Sequence, residues 1–251
     1  MNTDAYLNRI GYRGSRELTL DTLRALQRTH LQQVPFENLD IHRQQEIRID
    51  LDRFCDKIVR RKRGGFCFEV NGLFNELLRD FGFVTHFITC SVFSQPKQQF
   101  TPYFGHVAIV AHLEEDWLVD VGFGTKFPEP LLLSTDAPQL QDGTYYQLLS
   151  LNAEETLLQR FTEGEAPIKM YKFRRDPQEL TDFSEMCVYH QTSPESLFTQ
   201  GRLCSLMTPR GRITLTDKSF IETQGSEKWE TPVEDQKAFA HKLKEHFGIV
   251  L

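Results

Sequence analysis

The chain lacks long apolar runs and any excess of positive charge. Its longest hydrophobic stretches fall far short of the ~20 residues that cross a bilayer, and the start, Met1-Asn2-Thr3-Asp4, has no signal-peptide pattern. Lys and Arg number 29 against 35 Asp and Glu, and the net charge of −6 leaves no broad basic face. We therefore expect a cytoplasmic protein with no nucleic-acid and no membrane partner. Local basic clusters such as Arg61-Lys62-Arg63 remain compatible with a small anionic ligand.

Paired cysteines are also missing. The five cysteines are an odd number, widely separated and without a C-x-x-C pair, which argues against a disulfide framework and against a zinc cluster. They are Cys55, Cys67, Cys90, Cys187 and Cys204. The eight histidines show no pair at metal-ligand spacing either. We expect reduced thiols and no metal.

The 251 residues present, 39% of them hydrophobic and 25% charged, have ordinary globular composition. In the first third, apolar residues at helical spacing predict helices over 20–31 and 51–59. A further helix is predicted from Cys67 to Phe81, with Gly82 closing its C-terminus. The stripe places Cys67 on the inward face of this helix. A helical bundle over residues 1–82 is the interpretation.

From Val84 the apolar period changes to two, which is typical of strands. Strands are predicted over 84–92, 106–110, 117–121, 145–151, 157–161 and 168–173. The acidic turn 114–116 joins the second and third of these into a hairpin. Residues 83–175 are therefore predicted to form a β-barrel or a curled sheet.

The last third mixes both signals. Asp176-Pro177-Gln178-Glu179 and Thr231-Pro232-Val233-Glu234 each have the pattern of a helix start, and the second helix is expected to end at Gly248. Between them, Pro209-Arg210-Gly211 predicts a hairpin. We expect a multi-domain α+β protein with an α/β lid over 176–251.

One cysteine stands where a thiol becomes a nucleophile. Cys67 occupies the first turn of a predicted helix, directly after Gly64 and Gly65. Free N–H groups and the positive end of the helix dipole favour thiolate over thiol there, and so predict a lowered pKa for Cys67. The glycine pair is expected to let a substrate approach the sulfur. Simple packing of Cys67 is the alternative.

A cysteine nucleophile needs a base, and the base needs an orienting acceptor. His106 begins one predicted hairpin strand and Asp120 ends the other, so both can project into a cleft. A short turn would set Asp120 opposite Ile109 or Val110, ~10–13 Å along the strand from His106, so a bulge or strong twist is expected. The alternatives are a core or surface role for His106 and turn capping by Asp120.

Four segments together resemble the arylamine N-acetyltransferase family, of the bacterial type. They are 34–39 (VPFENL), 63–71 (RGGFCFEVN), 106–110 (HVAIV) and 119–124 (VDVGFG). The resemblance implies a helical bundle, a β-barrel and an α/β lid around a cysteine-protease-like core. It assigns Cys67, His106 and Asp120 to the catalytic triad.

The resemblance also implies roles for neighbouring residues. Arg63 and Glu37 match a structural ion pair beside the nucleophile, and Phe123 matches a residue lining the acceptor pocket. The position of Thr125 varies with acceptor preference in the family. The C-terminal region is shorter than in many bacterial members.

Aromatic side chains are expected to keep water from the site. Phe36, Phe66, Phe68 and Phe123 are the candidates, and core packing is the alternative for Phe36 and Phe68. Of these, Phe36, Phe66 and Phe123, with Thr125, are the predicted substrate-binding residues.

The implied activity is transfer of an acetyl group from acetyl-CoA to an arylamine, arylhydrazine or N-hydroxyarylamine, a reaction of xenobiotic metabolism. It would follow a ping-pong course through acetyl-Cys67. The protein would bind coenzyme A and a small arylamine, as a monomer or a homodimer. A papain- or transglutaminase-like cysteine hydrolase and a non-catalytic acyl-CoA-binding protein are the alternatives.

Overall fold

The computed structural model describes residues 1–124, 127–225 and 227–251, in which helices flank two antiparallel sheets. The α-helices of these ranges are α1 (Thr3–Ile10), α2 (Leu20–Gln33), α3 (Leu39–His42), α4 (Leu51–Cys55), α5 (Cys67–Phe81), α6 (Ser184–Thr192) and α7 (Gln236–Phe247). A π-helical turn, Asp56–Arg60, continues α4, and short 3-10 helices span Leu180–Phe183 and Leu197–Thr199. None of the described helices is both long and apolar enough to span a bilayer.

The strands fall into an early short strand, a central group and a C-terminal group. They are β1 (Phe36–Glu37), β2 (Val84–Ser94), β3 (Gln99–Phe100), β4 (His106–His112), β5 (Asp116–Val119), β6 (Leu131–Leu132), β7 (Gln139–Gln141), β8 (Thr144–Ser150), β9 (Glu155–Phe161), β10 (Ile168–Arg174), β11 (Leu203–Thr208), β12 (Gly211–Thr216), β13 (Ser219–Gln224) and β14 (Glu227–Pro232).

The central strands form a nearly closed, barrel-like sheet. Its strand order is β6-β5-β4-β2-β10-β9-β8-β7, with β3 paired to β2. The two ends of this path meet through side chains: the amide of Gln139 on β7 donates to the carbonyl of Leu132 on β6 at 3.0 Å and accepts from its N–H at 2.8 Å. The predicted mixture of helix and barrel-like sheet is confirmed.

The second sheet joins distant parts of the chain. Its order is β1-β11-β12-β13-β14, so Phe36 and Glu37 of the N-terminal region pair with Ser205 and Cys204. Helix α7 covers this sheet with Phe239, Leu243 and Phe247. The N-terminal helices and the last third of the chain are therefore packed together through β-pairing, as well as through side chains.

Helix α5 has clear start and end signals. Its first turn is capped by the carboxylate of Glu69, which accepts the N–H of Phe66 at 3.0 Å. It ends at Gly82 as predicted, because this glycine adopts a left-handed conformation (φ 102°) and its N–H donates to the carbonyl of Arg79. Its apolar face packs on β2 and β4 and places its N-terminus at one end of the barrel-like sheet.

Two predicted helix starts in the last third are wrong. Residues 227–232 form β14, whose Pro232 pairs with Ser219, and α7 begins only after Asp235, whose side chain accepts the N–H of Ala238. After Asp176 the chain first pairs with β2, where the N–H of Gln178 donates to Phe87. Tertiary pairing overrides the local Pro-and-acid pattern in both places, whereas the predicted end at Gly248 is confirmed.

Strand β4 serves two cores with alternate residues. Val107, Ile109 and Ala111 face the core shared with the N-terminal helices. Ala108 and Val110 face the interior of the barrel-like sheet. His106 comes two residues before Ala108 and therefore lies on the same, interior side of the sheet. It is at the end of the barrel nearest to the start of α5.

Candidate active site

Cys67 is the first residue of α5 and only 2% of its surface is exposed. Gly122 lies against it, since a Cβ on that glycine would fall 2.8 Å from the Cα of Cys67. The preceding glycines serve packing: a Cβ on Gly64 would lie 1.9 Å from the carbonyl oxygen of Pro35, and one on Gly65 would lie 2.7 Å from the Cβ of Glu69. We expected this glycine pair to open a path to the sulfur. In the structure, its lack of side chains instead allows close packing against Pro35 and Glu69.

His106 and Asp120 are in direct contact. Nε2 of His106 lies 2.7 Å from Oδ2 of Asp120, and both side chains are buried. The same oxygen accepts the hydroxyl of Tyr171 at 3.1 Å, while Oδ1 accepts from the amide of Asn71 at 2.9 Å and from the N–H of Gly122 at 2.8 Å. Four donors therefore surround the carboxylate, which compensates for its loss of water.

The contact forms without a bulge, which was one of the two distortions predicted for the hairpin. Val119 pairs with Ile109 in regular register after a three-residue loop at 113–115. This register carries Asp120 to the level of Ala108, on the same face of the sheet as His106. Diagonal neighbours of this kind have Cα atoms ~7–8 Å apart, within reach of an imidazole and a carboxylate.

The carboxylate fixes the histidine tautomer. Because an ionised Asp120 can only accept, Nε2 of His106 carries its hydrogen and Nδ1 keeps a lone pair. Among the described residues, no hydrogen bond engages Nδ1 or joins Cys67 to His106. The free nitrogen is the one available to take a proton.

Burial raises the pKa of the Cys67 thiol well above its ordinary value, and the negative charge of Asp120 adds to the shift. Backbone N–H groups of Phe68 and Val107 act in the opposite direction and do not overcome it. The prediction that the helix start lowers this pKa is therefore wrong, because enclosure of the sulfur outweighs the helix dipole. Proton removal has to come from a neighbouring base.

Asn71 ties the nucleophile's helix to both hairpin strands. It lies one turn after Cys67, and its amide nitrogen donates to the carbonyl of Val107 at 2.7 Å as well as to Asp120. Its oxygen accepts the N–H of Val121 at 2.9 Å. Asn71 was given no role from the sequence; the available signal was an amide four residues after Cys67 on the same predicted helix.

His190 holds the backbone just before His106. Its Nε2 donates to the carbonyl of Gly105 at 2.8 Å, and its ring stacks on Phe68. Burial lowers the pKa of His190, which favours the neutral ring. This histidine was not singled out from the sequence. Within the described ranges, no group of three or more His, Cys, Asp or Glu side chains could hold a metal ion.

The predicted substrate residues occupy different surroundings. The ring of Phe123 is partly exposed and lies 5.3 Å from that of His106 and 5.0 Å from that of Tyr171. Phe66 has no exposed surface and Phe36 only 4%, and both pack against Phe198. Thr125, the fourth of these residues, lies outside the described ranges.

The ion pair of Arg63 and Glu37 is present and belongs to a larger buried cluster. The guanidinium donates to Glu37 at 2.7 and 3.0 Å and to Asp40 at 3.0 Å. Lys57 lies 2.8 Å from Asp40 and 2.9 Å from Glu69, the carboxylate that caps α5. Three carboxylates and two cations thus lie directly behind the start of the nucleophile's helix.

The composition of the cluster explains its pKa shifts. Burial disfavours the charged form of Lys57 and would lower its pKa. The nearby carboxylates of Glu69, Glu37 and Asp40 outweigh this effect, so the pKa of Lys57 is raised. Burial raises the pKa of Glu69 to about 7, against the attraction of Lys57 and with further repulsion from Glu37. With one negative charge in excess, the cluster retains a proton most readily on Glu69. Asp40, Lys57 and Glu69 were not predicted from the sequence.

Comparison with known proteins places this geometry in a family. Residues 19–251 match the family model described as N-acetyltransferase. The chain is 32% identical to arylamine N-acetyltransferase 1 of Homo sapiens, over all of this chain and 95% of that protein.

Solved structures are similar over almost the whole chain. Arylamine N-acetyltransferase from Salmonella typhimurium superimposes with a TM-score of 0.92 at 29% identity, covering 98% of this chain and 90% of that one. The Mycobacterium marinum enzyme in complex with CoA gives 0.91 at 26% identity, with 99% and 93% covered. The chain therefore belongs to the arylamine N-acetyltransferase family, whose members are acyltransferases.

Proposed function

We propose that the protein moves an acetyl group from acetyl-CoA to an arylamine, arylhydrazine or N-hydroxyarylamine through an acetyl intermediate on Cys67. The observation that carries the proposal is the buried 2.7 Å contact between His106 and Asp120, beside the start of the helix that bears Cys67. Family membership supports the substrate classes, and the CoA complex of the M. marinum relative supports coenzyme A as donor.

In the first half-reaction, Cys67 gives its proton to Nδ1 of His106 and its sulfur attacks the thioester carbonyl. The carbon–sulfur bond to coenzyme A breaks, and the departing thiolate takes the proton from His106. Asp120 stabilises the imidazolium formed in between. Because one thioester replaces another, the acetyl group keeps its reactivity.

In the second half-reaction, the nitrogen of the acceptor attacks the acetyl-cysteine carbonyl and loses a proton to His106. The bond between the carbonyl carbon and Sγ of Cys67 breaks, and the sulfur recovers the proton. The product is the N-acetylated acceptor. One site and one base serve both steps, which is ping-pong chemistry.

The surroundings of Cys67 support this chemistry in two ways. In the proposed mechanism the backbone N–H of Cys67, at the start of α5, stabilises the oxyanion, an interaction worth ~2.7–4 kcal/mol per donor in comparable sites. The low exposure of Cys67 and His106 keeps water from the acetyl intermediate. Phe123 is partly exposed and its ring lies 5.3 Å from that of His106, where an aromatic acceptor would arrive.

The decisive experiment is intact mass spectrometry after incubation with acetyl-CoA alone. We expect one acetyl adduct, mapped to Cys67 and discharged by an added arylamine as its N-acetyl product. The Cys67→Ala variant should give no adduct. Cys204→Ala, which changes a buried cysteine of the second sheet, should keep it.

Other outcomes would favour the alternatives. An adduct that water discharges as fast as the arylamine would indicate a hydrolase. Binding of CoA without an adduct, in the wild type as in Cys67→Ala, would indicate a non-catalytic acyl-CoA-binding protein and contradict the proposal.

A further inference from the structure

The separation of Cys67 and His106 depends on how the neighbouring chain is held, because no hydrogen bond among the described residues joins the two side chains. Cys67 begins α5, and His106 begins β4. A displacement of about 1 Å at a reacting group can cost about 100-fold in rate. A side chain that contacts both of these stretches therefore affects the transfer of the proton from sulfur to imidazole.

His190 of α6 contacts both stretches through one ring. Its Nε2 donates at 2.8 Å to the carbonyl of Gly105, the residue directly before the base. The centroid of the ring lies 5.9 Å from that of Phe68, in a stacked arrangement, and 6.5 Å from that of Phe66, at a steep angle. These two phenylalanines are the residues that flank the nucleophile in the chain. A single imidazole thus lies between the neighbours of the nucleophile and the neighbour of the base.

A second side chain holds the chain on the other side of His106. The amide of Asn71 donates to the carbonyl of Val107 at 2.7 Å, whereas His190 donates to that of Gly105. A carbonyl before His106 and one after it are therefore both fixed by side chains from helices. Asn71 belongs to α5, and His190 belongs to the last third of the chain. The contact of His190 makes the position of the base depend on how α6 packs.

The ring of His190 has a defined orientation and tautomer. Because the carbonyl of Gly105 can only accept, Nε2 carries the hydrogen. Burial lowers the pKa of His190, which favours the neutral ring with a lone pair on Nδ1. This nitrogen lies 3.3 Å from Oγ of the buried Ser196, and the ring of Phe198 packs edge-on at 5.0 Å. The imidazole is therefore fixed from several sides.

We propose that His190 is a positioning residue for proton transfer, which fixes the separation of Cys67 and His106 through their neighbours in the chain. The proposal rests on the acetyl transfer proposed above. The alternative is that His190 only stabilises the packing of α6. The two differ in what a variant changes: packing alone affects how many molecules are competent, whereas positioning affects the reaction rate of each competent molecule.

The test is the burst of CoA release on mixing with acetyl-CoA. The amplitude of the burst counts competent molecules, and its rate constant at saturation reports the first half-reaction. His190→Phe keeps an aromatic ring and removes the donor to Gly105. We expect its rate constant to fall by about 10- to 100-fold, with the half-saturating concentration of acetyl-CoA unchanged. His190→Gln supplies an amide donor and should recover part of that loss.

The matched control is the next residue of the same helix. Gln191 also holds α6 in place, since its amide accepts the N–H of Ile47 at 2.7 Å and donates to the carbonyl of the same residue at 2.8 Å. Gln191→Leu should lower the urea concentration at half-unfolding and leave the rate constant of CoA release unchanged. A difference between the two variants separates positioning from packing.

Three results would overturn the proposal. One is an unchanged rate constant in His190→Phe, with the loss confined to the amplitude. The others are an equal fall of the rate constant in His190→Gln, or an equal fall in Gln191→Leu. In each case the wild type would still form acetyl-Cys67, so the acetyltransferase proposal would stand.

Failure of the acetyltransferase proposal is recognised separately, by the absence of a burst in the wild type. Alkylation of Cys67 by iodoacetamide needs no CoA and then replaces the burst as the measurement. It should be slower in His190→Phe than in the wild type, because His106 is less well placed to take the proton from sulfur. Equal alkylation rates would overturn the role of His190.

Discussion

Asp120 receives four hydrogen bonds, and the one from Nε2 of His106, at 2.7 Å, is the shortest. Two donors reach each oxygen, so the carboxylate has no freedom to rotate. The tautomer and the direction of the imidazole are set by this contact. The reactivity of Cys67 should therefore depend on residues that never touch the substrate.

We expect Asp120→Asn to lower the acetylation rate of Cys67 by about 10⁴-fold, as loss of the orienting carboxylate does in related triads. An amide cannot accept four donors, and its NH2 group would force Nε2 of His106 to become the acceptor. Stopped-flow measurement of CoA release checks this. A loss of less than about tenfold would show that His106 does not depend on Asp120.

Tyr171→Phe provides a milder change at the same carboxylate. It removes the donor that lies 3.1 Å from Oδ2 and leaves the other three in place. We expect a loss of about 10- to 150-fold in kcat/KM, since a hydrogen bond to a charged group contributes ~1.5–3 kcal/mol. The free energy of unfolding in urea is the control; a loss of activity matched by a general loss of stability would indicate a purely structural role.

Gly122→Ala should disrupt the site by steric contact. A Cβ there would lie 2.6 Å from Nδ2 of Asn71 and 2.8 Å from the Cα of Cys67, whereas one on Gly124 would meet nothing within 4 Å. Overpacking of this kind costs ~1–3 kcal/mol. We expect Gly122→Ala to lose most of the acetyl adduct and Gly124→Ala to retain it. Comparable adduct yields from the two variants would contradict the contact.

The buried cluster should make stability depend on pH through Glu69. Its pKa rises from 4.5 to about 7 on folding, so between these values the folded state holds a proton that the unfolded chain releases. Stability from this group is complete below 4.5 and is lost as the pH rises through about 7. From about pH 5.5 to about pH 8, the loss amounts to ~2 kcal/mol.

Urea unfolding at the two pH values measures this loss. Glu69→Gln cannot titrate, so its free energy of unfolding should fall less over the same interval. The raised pKa of Lys57 keeps that residue charged throughout, and it adds nothing to the difference. An equal fall in Glu69→Gln and the wild type would place the titrating group elsewhere.

Lys57→Met should destabilise the protein by ~3–5 kcal/mol, because Asp40 and Glu69 would lose their shared cation inside the protein. Adding Glu69→Gln removes one of the stranded charges. The double variant is therefore expected to be more stable than Lys57→Met alone, as measured by urea unfolding. A double variant no more stable than the single one would show that the two charges are not coupled.

The sequence was most informative where local signals and tertiary contacts agree. Helix α5 runs from Cys67 to a left-handed Gly82, as its stripe and its terminal glycine predicted. Regular alternation also located β2, β4 and β5. The start of α7 was missed because Pro232, which resembles a helix start, is held in β14 by pairing with Ser219.

In the site, too, local sequence signals identify some residues, whereas tertiary contacts determine the others. Cys67, His106 and Asp120 are recognisable from local patterns, whereas Lys57 and Glu69 are brought together only by the packing of the π-helical turn on α5. The pKa of Cys67 was predicted in the wrong direction because its helix position is visible in the sequence and its enclosure is not. The hairpin register, which decides whether His106 meets Asp120, depended on one residue of loop length.

The two glutamines of β7 have a consequence for the behaviour of the protein in concentrated solution. Gln139 and Gln141 each exchange two hydrogen bonds with backbone groups on the opposite margin of the barrel-like sheet, at Leu132 and Glu129. Their amides thus make the hydrogen bonds that a neighbouring strand would make. They occupy backbone donors and acceptors that could otherwise pair with a strand of another molecule. Resistance to strand-by-strand aggregation is built here from two side chains, without full closure of the barrel.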